Sequence, residues 1–233
     1  MKKLKVLIAC EESQEVCKAF RELGHEAYSC DILECSGGNP EWHIKGDALK
    51  ELNKKWDLLI AHPPCTYLSV SGLHWNKKNP ERAKKTEEAL EFVKKFMFAN
   101  VNHIAVENPI SCISSRIRKP DQIINPYEFG EDASKNTCLW LKNLPKLKTT
   151  KFIEPRIVGG KKRWSNQMDN GQNVVYDEDG KTVGWNTDKI KLLRSKTYPG
   201  IAKAMAKQWS EYILSNSIDS EAKNGRRNNN YHI

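Results

Sequence analysis

Trp56-Asp57-Leu58-Leu59-Ile60-Ala61-His62-Pro63-Pro64-Cys65 decides the fold when read with Val106-Glu107-Asn108-Pro109, about 40 residues further on. The first is an apolar run that ends in a proline-stiffened turn presenting a cysteine. A second apolar run, His103-Ile104-Ala105-Val106, ends by presenting a carboxylate. In an open α/β sheet, groups at the carboxyl ends of strands face one crevice, so a thiol and an acid can converge there. That pairing suits covalent attack on an electron-poor ring, with the acid holding or supplying a proton.

Outward from these runs, the first half of the chain alternates strand and helix signals. Lys5 to Cys10 reads as a buried strand, and Gln14 to Leu23 as a helix with Val16, Phe20 and Leu23 on one face. Gly24 ends that helix as a C-cap. Glu26 to Ile32 reads as a second strand, Ile44 to Ala48 as a short third, and Ala48 to Asn53 as a helical turn. Trp56 to Ala61 is the fourth strand. Pro80 opens a long helix to about Asn100, with Leu90, Val93, Phe96 and Met97 apolar, and His103 to Val106 is the fifth strand. This alternation predicts an α/β protein with a parallel, Rossmann-like sheet and right-handed crossovers. Such sheets also serve hydrolases, receivers and kinases, so fold alone leaves function open.

After Cys112 the rhythm changes. Gln122 to Phe129 and Lys135 to Leu141 are short apolar runs. Residues 145–193 are rich in Lys, Gly, Asn and Trp, with turn signals at Gly159-Gly160, Asp169-Asn170-Gly171 and Asp177-Glu178-Asp179-Gly180. They read as a small, mobile basic insertion carrying hairpins, one before Lys-Lys-Arg-Trp and one around Val174-Val175-Tyr176. Tyr198-Pro199-Gly200 opens a final helix with Ile201, Met205, Ala206, Trp209 and Ile213 on one face. The expected organisation is a catalytic domain of residues 1–144 and 194–215 around the 145–193 insertion. A disordered tail over 216–233 follows.

Bulk properties narrow the partners. The chain has 233 residues, 39% hydrophobic and 29% charged, enough for one domain with a real core. No apolar run approaches the ~20 residues of a membrane helix. Met1-Lys2-Lys3-Leu4-Lys5 leads straight into strand-like Val6-Leu7-Ile8-Ala9 without a signal peptide's cleavage site, so a cytoplasmic protein is expected. Seven cysteines without a CxxC pair argue against a disulfide framework and a tetrahedral zinc site, and no metal is expected. The net charge is +9, and Lys142 to Asn170 holds eight basic residues against Glu154 and Asp169. Phosphate-bearing partners fit that distribution as well as a merely soluble basic surface does.

The Pro-Pro-Cys and Glu-Asn pairs resemble two signature motifs of the DNA cytosine-5 methyltransferase family, and more closely its short phage-type members. The likeness extends over roughly residues 4 to 214. It takes in Gly24-His25-Glu26-Ala27, Cys30-Asp31, Gly46-Asp47, His62 through Ser69, Glu107-Asn108-Pro109, Asn125 through Gly130, Thr137-Cys138-Leu139-Trp140-Leu141 and Arg194-Ser195-Lys196-Thr197. The resemblance implies a class I methyltransferase sheet, S-adenosylmethionine as methyl donor and DNA, single strands included, as substrate. It implies Cys65 as the nucleophile that adds to cytosine carbon 6. Glu107 would then be a carboxyl, its pKa raised by burial, that meets ring nitrogen 3. His62 lies too near Cys65 in sequence to orient easily as its base.

For the donor, the resemblance implies a site from Cys10, Glu11, Ser13, Asp31, Ile32, Asp47, Ala48 and Pro63. Asp31 would accept the ribose hydroxyls and Asp47 the adenine amino group. For the nucleotide it implies Pro64, Tyr67, Ser69 and Asn108, with His74 and Trp75 near the base; Asn108 also suits a bond to local backbone. Arg163 and Arg194 are candidates only as stand-ins for the family's phosphate-binding arginines, a solvated basic loop being the alternative. The first turn, Cys10-Glu11-Glu12-Ser13-Gln14-Glu15, departs from the family by containing no glycine. Its three acids discourage a phosphate-bearing cofactor and favour a cationic donor. Tyr67 and Thr66 replace the family's usual aromatic and Gln, and no copy of its Gln-x-Arg-x-Arg motif is present. The short insertion leaves room for phosphate contacts and an inserted Trp but little for reading several bases. RNA, a free nucleotide, a non-methyl group, or a silent nucleic-acid-binding relative are the alternatives.

Overall fold

Lys5–Ala9 (β1), Glu26–Asp31 (β2), His43–Lys45 (β3), Leu58–Ala61 (β4) and His103–Pro109 (β5) run parallel in a computed structural model of the chain. The structure describes residues 2–174 and 195–228. Gln122–Ile124 (β6) and Thr137–Lys142 (β7) complete a seven-stranded sheet in the order β3-β2-β1-β4-β5-β7-β6. The Rossmann-like sheet expected from the alternation is present, with one correction: β7 is antiparallel to β5, and β6 to β7. A parallel pair needs a helical crossover of a dozen or more residues. The 125–136 connection carries only one 3₁₀ turn, Pro126–Glu128, and so joins antiparallel neighbours.

Both faces of the sheet are covered at its centre, which is why β1 and β4 read as unbroken apolar runs. Val6, Ile8, Leu58 and Ile60 pack with Val16, Cys17 and Phe20 of Glu15–Glu22 (α1) and with Met205, Trp209 and Ile213 of Pro199–Asn228 (α6). The alternate residues, Leu7, Ala9, Leu59 and Ala61, pack on the other face with Leu90, Val93, Phe96 and Met97 of Pro80–Met97 (α4). Each fully buried Leu, Ile or Phe contributes about 1.5–3 kcal/mol. Three one-turn helices complete the frame: Ala48–Glu51 (α2), Val70–Leu73 (α3) and Ile113–Arg116 (α5).

The ends of α1 and α6 show why particular residues are used. Gly24 follows α1 at φ +82, where a side chain would be strained. Gly200 lets α6 start against the Phe129 carbonyl; an added Cβ would sit 2.0 Å from that oxygen. α6 continues to Asn228, past the 216 boundary set for a disordered tail, because the polar stretch after Ile213 contains no proline to stop it.

The insertion contains the first expected hairpin, Arg156–Val158 (β8) and Lys161–Arg163 (β9), turned by Gly159-Gly160. The second, after Val174, lies outside the described residues. Four cysteines, 17, 30, 112 and 138, are buried; Cys65 is exposed. Among the described residues no His, Cys, Asp and Glu cluster could hold a metal, and no helix is long and apolar enough to cross a membrane.

Candidate active site

Parallel pairing of β4 and β5 sets Ala61 beside Val106. His62 is the first residue past β4, Glu107 is the next residue of β5, which continues to Pro109 against β7, and Cys65 follows His62 three residues later. The Cys65 carbonyl accepts from Leu68 N and Ser69 N, both at 3.0 Å, which folds the loop into a tight turn beneath an exposed side chain. Arg82 on α4 donates to the carbonyls of Thr66 (3.0 Å) and Gly72 (3.3 Å), fastening that loop from outside. From inside, the Asn108 amide donates to Pro63 O at 2.7 Å. A bridge between Ser69 and Ser111 and a bond from Cys112 N to Leu68 O join the β4 loop to the β5 loop. The wall that carries the cysteine is thus built from both apolar runs and the turns that end them.

His62 Nδ1 lies 3.0 Å from Glu107 Oε2, with side-chain exposures of 9% and 14%. An ionised carboxylate only accepts, so Nδ1 carries the hydrogen. Burial works against the charge on His62. The hydrogen bond and charge of Glu107, with Glu11 adding, nevertheless hold the imidazole above its ordinary value. Burial alone would raise Glu107, but the His62 hydrogen bond, its charge and that of Lys135 bring it below the ordinary carboxylate range. This corrects the expectation that burial makes Glu107 a carboxyl of raised pKa: a partner from the next strand outweighs desolvation. His62, set aside as a base for Cys65, is the partner of Glu107. Lys135, in the segment before β7, was missed. The signal for His62 was in the sequence, since two strands in register set the residue after Ala61 against the residue after Val106. Lys135 lies in an irregular loop and left no such signal.

The turn after β1 takes a form that its sequence did not predict. Cys10 and Gln14 both sit near φ +60, in the left-handed region, without glycine. The Glu11 carboxylate turns inward and accepts from Val16 N (2.7 Å) and Cys17 N (3.2 Å), capping α1 where Gln14 makes no side-chain cap. Burial pushes Glu11 up, and the charge of His62 and these two N–H groups pull against it. Gln14 and Glu12 bind the 35–39 segment through Cys35 Sγ, Asn39 and Ser36. Glu11 and Ser13, both expected to reach a cofactor, are buried. Where a glycine-rich turn would admit a ligand's phosphate to the α1 N-terminus, this chain's own carboxylate is already there.

Asp31 and Asp47, at the ends of β2 and before α2, remain at the edge beside Cys10. Burial, then the charges of Asp31, Cys30 and Asp47, push the Cys10 thiol upward. One oxygen of each acid accepts a local backbone N–H, from Leu33 (2.9 Å) and Leu49 (3.0 Å). Ile32 between them is 73% exposed and Ala48 is buried. Two acids beside an open apolar side chain fit hydroxyls, an amino group and positive charge, and repel phosphate. Pro63 is buried and Pro64 exposed.

Several residues expected at the nucleotide are engaged elsewhere. Asn108 is 1% exposed and holds Pro63, so it shapes the wall rather than meeting a substrate. Tyr67 turns to α4, with Arg82 and Lys85 5.1 and 5.8 Å from its ring centroid. Trp75 is exposed beside His74, their rings 4.7 Å apart. Ser69 is half-buried at the bridge to Ser111. In the insertion Arg163 donates to Asp169 O and Lys162 O. Trp164 is buried, stacked on Tyr127 at 4.3 Å, and so is not poised for insertion into nucleic acid. Lys146, Lys148, Lys151, Arg156, Lys161 and Lys162 stay exposed. Arg194 lies outside the described residues.

No protein-family model matches this chain, and comparison with curated proteins finds no match. Among solved structures it is similar to the Entamoeba histolytica methyltransferase EhMeth, at 16% identity over 66% of this chain and 59% of that one, TM-score 0.43. It is also similar to the S. pombe Dnmt2 methyltransferase, at 14% identity over 62% and 51%, TM-score 0.41. A third is the magnesium protoporphyrin IX methyltransferase of Synechocystis, at 15% identity over 60% and 70%, TM-score 0.35. The chain thus spans half to three-fifths of the first two structures' length.

Proposed function

We propose that this chain transfers a methyl group from S-adenosylmethionine to carbon 5 of cytosine in DNA through a covalent adduct on Cys65. One observation carries the reading: an exposed thiol in the loop after β4 and a buried, hydrogen-bonded acid on the neighbouring parallel strand β5 belong to segments bound into a single wall.

Cytosine carbon 5 is too weak a nucleophile to take a methyl group unaided. As thiolate, Cys65 adds to carbon 6; the S–C6 bond forms and the C5–C6 π pair shifts to carbon 5. Glu107 meets the charge developing at ring nitrogen 3 with the proton it shares with His62. When bound, S-adenosylmethionine supplies a methyl group on a sulfonium, whose S–CH₃ bonding pair returns to sulfur. Asp31 and Asp47 would hold its hydroxyls and amino group, with Ile32 beside them. Loss of the carbon 5 proton to water and departure of Cys65 as thiolate then restore the ring. The proton on nitrogen 3 goes back to Glu107. A base inside a duplex must first be turned out of the stack, which a single strand avoids. The exposed lysines of the insertion supply phosphate contacts on either substrate.

The reading is tested by incubating the chain with tritium-labelled S-adenosylmethionine and, in separate reactions, single-stranded DNA, double-stranded DNA and RNA, followed by digestion to nucleosides. Label in 5-methylcytosine that disappears in Cys65→Ser is the expected result. No label in any nucleoside would overturn it, and label in RNA or in another base would move the proposal to that substrate. A second reading, a nucleic-acid-binding relative without catalysis, is favoured by the first turn being filled by Glu11. Calorimetry separates the two: heat on adding S-adenosylmethionine or its demethylated product supports the enzyme, and no heat with either supports the silent module.

A further inference from the structure

We propose that His62 is the positioning residue that holds and charges Glu107, storing on the protein the proton that cytosine nitrogen 3 draws on. The inference rests on the function proposed above and adds a part to its machinery.

The geometry is a buried chain of groups from four segments. His62 leaves β4 and donates through Nδ1 to Glu107 Oε2 of β5 at 3.0 Å. The charge of Glu11, in the turn after β1, favours the imidazolium, and that of Lys135, before β7, opposes it. On β7, Leu139 is paired with Glu107 and Cys138 with Asn108; burial, and then the charge of Glu107, push the Cys138 thiol up. His62 Nε2 is buried with no hydrogen-bond partner among the described residues. A neutral imidazole there would keep its hydrogen on Nδ1 and leave Nε2 as an unsatisfied acceptor. An imidazolium leaves Nε2–H as an unsatisfied donor instead, but sets a cation against the Glu107 carboxylate at 3.0 Å, and that contact decides between the two forms. The surroundings therefore favour one proton more than a lone carboxyl would keep at neutral pH. When Cys65 adds to carbon 6, negative charge grows at nitrogen 3 and the Glu107–His62 proton shifts toward it, leaving a neutral imidazole. Elimination of Cys65 returns the proton along the same path, so the pair ends as it began. A carboxyl acting alone would have to protonate from water in each cycle, in a pH range where carboxyls are ionised.

The test uses two measurements on the full chain. Nitrogen-15 NMR of histidine-labelled wild type follows each imidazole with pH, and the His62 signal is identified by its loss in His62→Asn. It is expected to keep both ring protons above the pH at which the other histidines lose theirs, and to lose that advantage in Glu107→Gln. The rate of covalent trapping on 5-fluorocytosine DNA is then compared between wild type and His62→Asn, whose amide keeps a donor to Glu107 but cannot titrate. Asn is expected to lower the rate by about a hundredfold near pH 8 while leaving DNA affinity unchanged, and to move the alkaline limb to lower pH. A His62 that titrates with the exposed histidines overturns the inference, and so does His62→Asn trapping at the wild-type rate with an unshifted limb. Were His62→Asn to unfold, the Glu107→Gln signals would be assigned by elimination, and the NMR arm would decide alone. Failure of the wild type to trap at any pH brings down the parent reading too, which separates the two failures.

Discussion

Glu107 is an acid whose charge is set by its neighbour on the adjoining strand. The sign of the coupling gives a pH window. His62 stands above its ordinary 6.5, so its contribution to stability is complete below that pH and is lost as pH rises through the raised value. Glu107 stands below its ordinary 4.5, so its contribution is present above that pH and lost as pH falls through the lowered value. The stability deficit of His62→Asn, measured by urea unfolding, should therefore be greatest between about pH 4.5 and 6.5 and shrink on either side. A deficit that is flat with pH would mean that the histidine only fills space. At Cys65 the opposite holds: the side chain is exposed, and Cys65→Ser should change stability by no more than about 0.5 kcal/mol while abolishing adduct formation. Loss of adduct together with a large loss of stability would point to a packing role. Cys65 and Glu107 were singled out in the sequence because each follows an apolar run; the partner the structure gives Glu107 is His62. What was not legible was the charge on Glu107, since the residue controlling it lies 45 positions away and meets it only when the sheet forms.

The short connecting elements hold the departures from what the sequence resemblance implies. The turn from β1 to α1 lacks glycine, yet the helix still needs its first N–H groups satisfied. Glu11 does this from within the turn, so the carboxylate is a structural cap and α1 is the element that depends on it. Glu11→Ala would leave two buried donors unpaired and should cost about 1–3 kcal/mol in thermal or urea unfolding. No loss of stability would show that water or another group replaces the cap. β1, β4 and β5 were legible to within a few residues because strands buried on both faces read as apolar runs bounded by turns. β7 was readable as an apolar run but not as antiparallel. Direction depends on the length and content of the connection after β6, which periodicity does not report. The one-turn helix α3 and the hold of Arg82 on its carbonyl have no sequence period at all, since they exist only once α4 lies beneath the loop.

At the scale of the whole molecule, a neutral three-layer core carries a basic flank. The core is anchored through α6: Trp209 is fully buried and its indole N–H donates to Pro145 O at 3.0 Å, so Trp209→Ala should cost about 3–5 kcal/mol and loosen the base of the insertion as well. The exposed lysines predict nucleic-acid binding that weakens with salt. Replacing Lys161 and Lys162 with Gln should reduce the slope of log affinity against log salt by about one for each phosphate no longer neutralised, with little change in base preference. An unchanged slope would place the nucleic acid on another face. The parallel part of the sheet and the long helices were foreshadowed by the order of the runs, whereas the packing of Trp164 on Tyr127 is a tertiary outcome. The most direct measurement is the intact mass of the chain after incubation with S-adenosylmethionine and 5-fluorocytosine DNA, in which the fluorine on carbon 5 prevents elimination. A covalent protein–DNA adduct mapping to Cys65, absent in Cys65→Ser, is the predicted result. A chain that stays unmodified with every DNA, or an adduct that persists in Cys65→Ser, would contradict it.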